Sequence, residues 1–404
     1  MNNSGSITFP SNTTQFTGTT ASLLAGNVNI NGGTLQINNS TTLGAAFTLG
    51  ANGNGNGSIT TSAGVTSSFN NLTWTGGTIL GSGTLAVPAG QTMNLSGGNK
   101  FIGTQGVLQI NGTAALSGGT VVNNGSYVSG VINIGPGGLF DDQGSYNFID
   151  ESGLGGIINN AGTFQKSGAA GTTSSISNWT ISNTGTLSVK AGLLALTGTL
   201  NNSGNVMVSS SSTLSLAGGF VQTGGTTSVS GSISSTIQMA IQGGAVQGTG
   251  VISSALQENG TIEPGSSTAT GTLTFDGNLS LSSSSQFLFK LGPSSDDFVV
   301  VNGTAPLTLN GALSLSMLPG YIPGASPLTL LFSSDNLSGA FSNVSNGGRL
   351  QTLDGTESFQ VNYGSDYISI SNAQAAPEPS VGLTLLGFFL VFTPTWLRRR
   401  SRMR

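Results

Sequence analysis

One short phrase recurs along this chain: an asparagine, a small residue, a glycine, then a run in which apolar and polar residues alternate. It reads Asn124-Gly125-Ser126-Tyr127-Val128, Asn160-Ala161-Gly162-Thr163-Phe164, Asn183-Thr184-Gly185-Thr186-Leu187-Ser188-Val189, Asn202-Ser203-Gly204-Asn205-Val206-Met207-Val208 and Asn259-Gly260-Thr261-Ile262. The glycines are Gly125, Gly162, Gly185, Gly204 and Gly260. Read as two, one, one and three periods, their separations average about 19 residues. A second phrase fills other turns: Gly33-Thr34-Leu35-Gln36-Ile37, Gly83-Thr84-Leu85-Ala86-Val87 and Gly271-Thr272-Leu273-Thr274-Phe275.

Alternation over four or five positions marks a half-buried strand. Asn and Gly tolerate positive φ and make sharp corners. A tight hairpin also uses Asn-Gly, but hairpins do not explain a fixed period. Three short strands with corners between them do, and that is one coil of a parallel β-helix. The expected fold is therefore all-β: a right-handed parallel β-helix solenoid over residues 1–275. Residues 20–275 supply about 13 coils, a rod about 60 Å long at ~4.8 Å per coil. Stacked coils place like residues above like, which suits ladders of Asn, Ser, Thr and Val.

Composition narrows the function. Of 404 residues, 64 are Gly and only 6% are charged, against roughly 25% charged in ordinary soluble domains. Low charge with high Gly is also a signature of disorder, but 36% of residues are hydrophobic and they fall in alternating runs. Cysteine and histidine are absent. That removes disulfides, thiolate and imidazole metal sites, and triad chemistry built on His. Residues 1–376 carry 13 acids and five bases, a net −8, while five of the ten bases lie at 398–404. A nucleic-acid binder needs a basic face, so nucleic acid is excluded as a partner.

Residues 276–371 read as a C-terminal β cap that covers the exposed strand edges of the solenoid. The strands there are longer and more apolar: Gln286-Phe287-Leu288-Phe289-Lys290-Leu291, Phe298-Val299-Val300-Val301 and Leu328-Thr329-Leu330-Leu331-Phe332. Pro319, Pro323 and Pro327 mark a loop. Residues 372–376 are a small-residue linker. Residues 377–404 form a tail of three parts. Pro377, Glu378 and Pro379 come first. An apolar stretch follows, with Val381, Leu383, Leu385, Leu386, Phe388, Phe389, Leu390, Val391, Phe392, Trp396 and Leu397. As a helix this stretch spans about 25 Å, enough for one short transmembrane helix. Arg398, Arg399, Arg400, Arg402 and Arg404 end the chain. Arginines beside a span favour the cytoplasmic side, so the body is expected outside the inner membrane.

This tail resembles the PEP-CTERM sorting signal of Gram-negative bacteria in the order, spacing and terminal position of its parts. The resemblance is confined to the segment 377–404. It implies export, transient anchoring in the inner membrane, recognition by an exosortase as processing partner, and release or attachment at the cell surface. The body resembles the β-helix passenger regions of autotransporter-like proteins. The likeness is carried by Gly260-Thr261-Ile262-Glu263-Pro264-Gly265-Ser266-Ser267, Gly271-Thr272-Leu273-Thr274-Phe275-Asp276-Gly277-Asn278-Leu279 and Asp297-Phe298-Val299-Val300-Val301-Asn302-Gly303. The sorting tail stands where an autotransporter has its membrane barrel. Such exported proteins begin with a cleaved signal peptide. The first basic residue here is Lys100, so the start is expected to lie within a longer gene product.

Several residues are candidates for a site. Asp141, Asp142, Asp150 and Glu151 are the densest acidic stretch. β-Helix hydrolases cluster aspartates on the outside of the rod, but they also use a His and an Arg-Lys pair, which are missing here. Carboxylates and carbonyls could instead hold Ca²⁺; a solvated loop is the plainer reading. Asp296-Asp297 reads as a turn or edge charge. Gly53-Asn54-Gly55-Asn56-Gly57 is a loop, since no Lys or helix follows as a phosphate loop requires. Trp74 and Trp179 are assigned to core packing rather than to a sugar-stacking face. The expectation is a non-enzymatic, cofactor-free and metal-free structural or adhesive surface protein, with extracellular polysaccharide as a partner. The alternative is a β-helix lyase or glycoside hydrolase acting on polysaccharide.

Overall fold

The computed structural model describes residues 6–9, 13–16, 27–52 and 55–376. The expected sorting motif, membrane helix and arginine cluster lie outside the described residues. Among the described residues every regular element is a β-strand. None of them forms a helix long and apolar enough to cross a membrane.

The fold is a parallel β-solenoid of about 12 turns. Each turn contributes one short strand to each of three faces. On the first face, Val107–Ile110 pairs with Val131–Ile134, which pairs with Gly156–Asn160 and so on to Leu279–Leu281. The second face runs from Ser6–Phe9 to Ala312–Met317, and the third from Thr13–Phe16 to Leu328–Ser333. The parallel ladder passes residue 275 unbroken, since Thr272–Phe275 pairs in parallel with Phe298–Val301. Ala51–Asn52 pairs antiparallel with Gly55–Asn56.

Alternation decides which side chains enter the rod. In Val107–Ile110, Leu108 and Ile110 are buried while their neighbours are half-exposed. Inward positions stack into columns. On the first face Leu85, Leu108, Ile132, Ile158, Ile181 and Leu200 lie above one another. On the second, Ala114, Phe140, Phe164, Leu187 and Val206 do the same. The Phe140 and Phe164 rings stack face to face at 5.2 Å, with Phe148 against both and Trp179 edge-on to Phe148. Trp74 and Trp179 are both fully buried, which places them in the core as their sequence context suggests. Each such side chain contributes ~1.5–3 kcal/mol of hydrophobic stabilisation.

The Asn-x-Gly phrase marks one corner, between the first and second faces. Its glycines form a column: Gly162, Gly185, Gly204, Gly225, Gly244 and Gly260. A Cβ on any of the last five would collide with the carbonyl of the glycine below. The same carbonyls accept the next ladder bonds, as from Thr186 N to Gly162 O (2.8 Å) and Asn205 N to Gly185 O (2.7 Å). The backbone is so close that only hydrogen fits there. Gly125 does not belong to this column. Asn124-Gly125 follows Val121–Asn123 on the third face, at a different corner. The true repeat is shown by Thr163, Thr186, Asn205, Thr226, Ala245 and Thr261, which pair in succession and whose spacing varies from coil to coil. Elsewhere corner insertions stretch the step further, as between the paired residues Thr113 and Leu139 or Asn147 and Ser175.

Past residue 318 the pairing changes. Leu328–Ser333 pairs antiparallel with Tyr367–Ala375, which pairs with Glu357–Tyr363 and then Arg349–Gln351. The outer edge of Ala312–Met317 is met by side chain and backbone together. Asn343 receives a hydrogen bond from Leu313 N (3.0 Å) and returns one to Leu313 O (2.8 Å), and Leu353 N donates to Leu315 O (2.8 Å).

Because the rings of Phe140, Phe148 and Phe164 are fully buried and in mutual contact, Phe164→Ala should destabilise the rod by ~3–5 kcal/mol. Thermal unfolding followed by far-ultraviolet circular dichroism should show a clear drop in Tm, with a strand spectrum retained at low temperature. An unchanged Tm would contradict the stacked core.

Candidate functional site

The acidic stretch does not assemble into one site. Phe140 points into the rod, so by alternation Asp141 faces outward and Asp142 inward. Asp141 receives hydrogen bonds from Gln143 (3.0 Å), Gln165 (2.9 Å) and Ser167 (2.5 Å). Asp142 is completely buried, stacked between Leu116 and Lys166. Burial raises its pKa, against the lowering effects of the Ser174 hydroxyl and the Lys166 ammonium. Asp150 belongs to a third cluster. It accepts from Asn123 (2.8 Å), Asn178 (2.7 Å) and the backbone N–H groups of Ser152 (3.1 Å) and Gly155 (3.0 Å). Although partial burial opposes it, the Ser152 hydroxyl, the Gly155 and Ser152 N–H groups and the Asn178 amide hold its carboxyl below the usual range. Glu151 is exposed. Paired-carboxyl hydrolysis needs two carboxyls facing one bond; adjacent residues of one strand face opposite ways. No three acidic side chains converge as a metal-holding group among the described residues.

The organised polar chemistry is inside the rod. Asn160, Asn183, Asn202 and Gln222 are all buried and stack at the corner that the repeated phrase marks. Asn160 Nδ2 donates to Asn183 Oδ1 (2.6 Å), Asn183 Nδ2 to Asn202 Oδ1 (2.7 Å), and Asn202 Nδ2 to Gln222 Oε1 (3.1 Å). Gln222 Nε2 ends the ladder on the carbonyls of Gly243 and Ala245. Further along the same column, on the far side of Ile241, sits Glu258. It is fully buried; Oε1 accepts from Gly260 N (2.6 Å) and Oε2 has no partner. Burial pushes its pKa up to about 8. The asparagines were visible in the sequence as corner residues. Their inward ladder was visible only through strand parity.

Three lysines are buried as well. Lys100 donates to the carbonyls of Gly98 (2.8 Å) and Gly118, and burial lowers its pKa to about 8. Lys166 bonds the Gly144 carbonyl and the Thr172 hydroxyl; burial lowers its pKa against the pull of Asp142. Lys290 lies between Asp297 (2.9 Å) and Glu263 (3.2 Å). Asp297 is therefore half of a buried ion pair rather than an edge charge. Its neighbour Asp296 faces a groove of about 440 Å³ lined by Pro293, Tyr321, Ile322 and Leu328. Burial raises the Asp296 pKa.

Comparison with protein-family models and with curated proteins gives no match.

The buried ionisable groups set a pH dependence whose sign can be worked out. Glu258 has a higher pKa folded than its ordinary 4.5, so the folded state holds the extra proton and stability falls as pH rises from about 4.5 to about 8. Lys100 has a lower pKa folded than its ordinary 10.5, so stability recovers as pH rises from about 8 towards 10.5. Urea or thermal unfolding should thus show a shallow stability minimum near pH 8. Glu258→Gln should flatten the acid-side slope and raise Tm most at and above pH 8. A slope unaltered by this substitution would assign the dependence to other groups.

Proposed function

We propose that this chain is an exported structural or adhesive protein of the cell surface or extracellular matrix. It is sorted by an exosortase-type system through residues 377–404, held for a time in the inner membrane, and then displayed or released. The observation that carries the reading is a rod whose interior is packed with side chains along its length, its buried ionisable groups serving structure. What such a rod offers outside is an extended surface of Ser, Thr and Asn. The outward column Asn133–Asn159, joined by a 2.9 Å bond, is typical of it. Neutral hydrogen-bonding ladders of this kind suit contact with extracellular polysaccharide.

Two finer features belong to the same proposal. The coil is right-handed, as nearly all parallel crossover connections are. Residues 276–371 cap the solenoid, in support of which Asn343, Leu353 and Tyr367–Ala375 occupy terminal strand edges. Unpaired edges invite growth by strand addition; a surface rod of defined length needs them closed.

Proline disfavours helix, and Pro377-Glu378-Pro379 directly precedes the apolar segment, which suits the motif to recognition by a processing enzyme. Replacing Pro377-Glu378-Pro379 with alanines in the native host tests the sorting claim. The wild-type protein should leave the inner membrane shortened at its C-terminus, and the variant should remain there at full length. Equal processing of both would reduce the motif to a linker. A second assay addresses catalysis: residues 1–376 should release no products from pectin, alginate or glucans. Turnover abolished by Asp141→Asn with Asp142→Asn would instead establish a hydrolase or lyase.

A further inference from the structure

The Lys290 cluster differs from the other buried charges in bringing two acidic side chains within contact of one amine. Lys290 Nζ lies 2.9 Å from Asp297 Oδ2 and 3.2 Å from Glu263 Oε1, and donates to the Pro264 carbonyl at 2.8 Å. Asp297 is held rigidly, accepting from Lys290 N at 2.7 Å and from Gly271 N at 2.8 Å. The side chains of Lys290 and Asp297 are 3% and 0% exposed, and that of Glu263 is 15% exposed. The excursion 292–296, which carries the chain from the second face to the third, is closed at its base by Asp297 N donating to Lys290 O at 2.9 Å.

We propose that Lys290 and Asp297 are joined by an amide bond that the folded protein forms by itself, with Glu263 as the proton carrier. Burial of an ammonium–carboxylate pair is costly, and the reaction starts from the form in which the shared proton sits on Asp297. Burial already favours the acid form of Asp297. The free amine is then a nucleophile beside the Asp297 carboxyl group, 2.9 Å from its Oδ2. Attack forms the Nζ–Cγ bond. The Glu263 carboxylate takes a proton from the nitrogen and returns it to the departing hydroxyl. The Cγ–O bond breaks, one water leaves through the partly open side at Glu263, and Glu263 ends as it began. No oxidant, metal or co-substrate enters. Fixed geometry supplies effective concentrations of ~10⁵–10⁸ M, and a nearly dry site opposes hydrolysis of the product. The result is a cross-link that reductants cannot open, in a chain that has no cysteine.

The test is the mass of the purified full-length chain under denaturing conditions. It should be lighter than its sequence by one water. Asp-Gly pairs at Asp276-Gly277 and Asp354-Gly355 can also lose water, so the deficit must be located. The fragment containing residues 286–301 should carry it, and trypsin should fail to cut after Lys290 while cutting after Lys166 and Lys190. Lys290→Arg should restore the full mass. Glu263→Gln, with an unchanged strand spectrum, should also retain the full mass over days at neutral pH. A wild-type fragment of full mass that trypsin cuts after Lys290 overturns the proposal and leaves an ion pair. A water deficit persisting in Glu263→Gln overturns the role of Glu263.

Discussion

Everything in this molecule depends on the backbone ladder between successive coils. Strands in register at a spacing of ~4.8 Å make each inward residue the immediate neighbour of its counterparts one coil below and above. A side chain cannot choose other company. Apolar columns satisfy this condition automatically, since any aliphatic residue packs on any other. A buried amide satisfies it only if the next coil offers another amide or a free carbonyl. Asn160, Asn183, Asn202 and Gln222 form such a run, each donating to the next. Glu258 shows the opposite case: in the same column but beyond Ile241, it finds one backbone donor and no side-chain partner, and neutralisation is its remaining route to stability.

The ladder also explains which parts of the fold could be read from the sequence. Most strands are short and alternating because both ladder and parity constrain them, so their existence and most of their buried residues are legible. The Gly162 to Gly260 column is legible too, because a carbonyl one coil below forbids any Cβ. The period is legible only where corners are tight. Between Thr113 and Leu139, or Asn147 and Ser175, the extra residues leave the ladder at the corners and return to it in register. Nothing in the pairing penalises such an excursion, so coil length drifts while strand spacing does not. For the same reason Asn124-Gly125 looks like its counterparts and sits at another corner: a turn signal records that the chain bends, not which face it leaves.

Buried charge was the least legible property, although parity carried the clue. Lys100 stands two residues before the inward Ile102, and Asp142 two residues after the inward Phe140. Counting by twos puts both inside; the ordinary preference of Lys and Asp for water argues the other way and is overridden here. Lys290 has a different cause. It lies outside the alternation, on the strand Gln286–Leu291, and is covered by the excursion that ends at Asp297. Contacts made by a corner insertion are invisible to strand pattern, and so the grouping of Glu263, Lys290 and Asp297 emerges only from the fold.

The scarcity of charge then follows from stacking. Two like charges on adjacent coils of one outward column would sit ~4.8 Å apart. Their repulsion is about 0.9 kcal/mol in water and ~3.5 kcal/mol at an effective dielectric near 20. A column of several such residues would accumulate that cost at every step, and opposite charges would have to alternate coil by coil to avoid it. Neutral donors and acceptors have no such sign problem: Asn159 bonds Asn133, Gln247 bonds Ser228, and Thr213 bonds Ser232 across successive coils. A repeat built on these residues can gain or lose a coil without recalculating its electrostatics. The 6% charged composition is therefore a physical consequence of the architecture. Several of the charges that remain sit where the strict repeat is interrupted: Asp150 beside a long corner, Glu258 past the end of the amide ladder, and Lys290 with Asp297 beneath the excursion at residues 292–296.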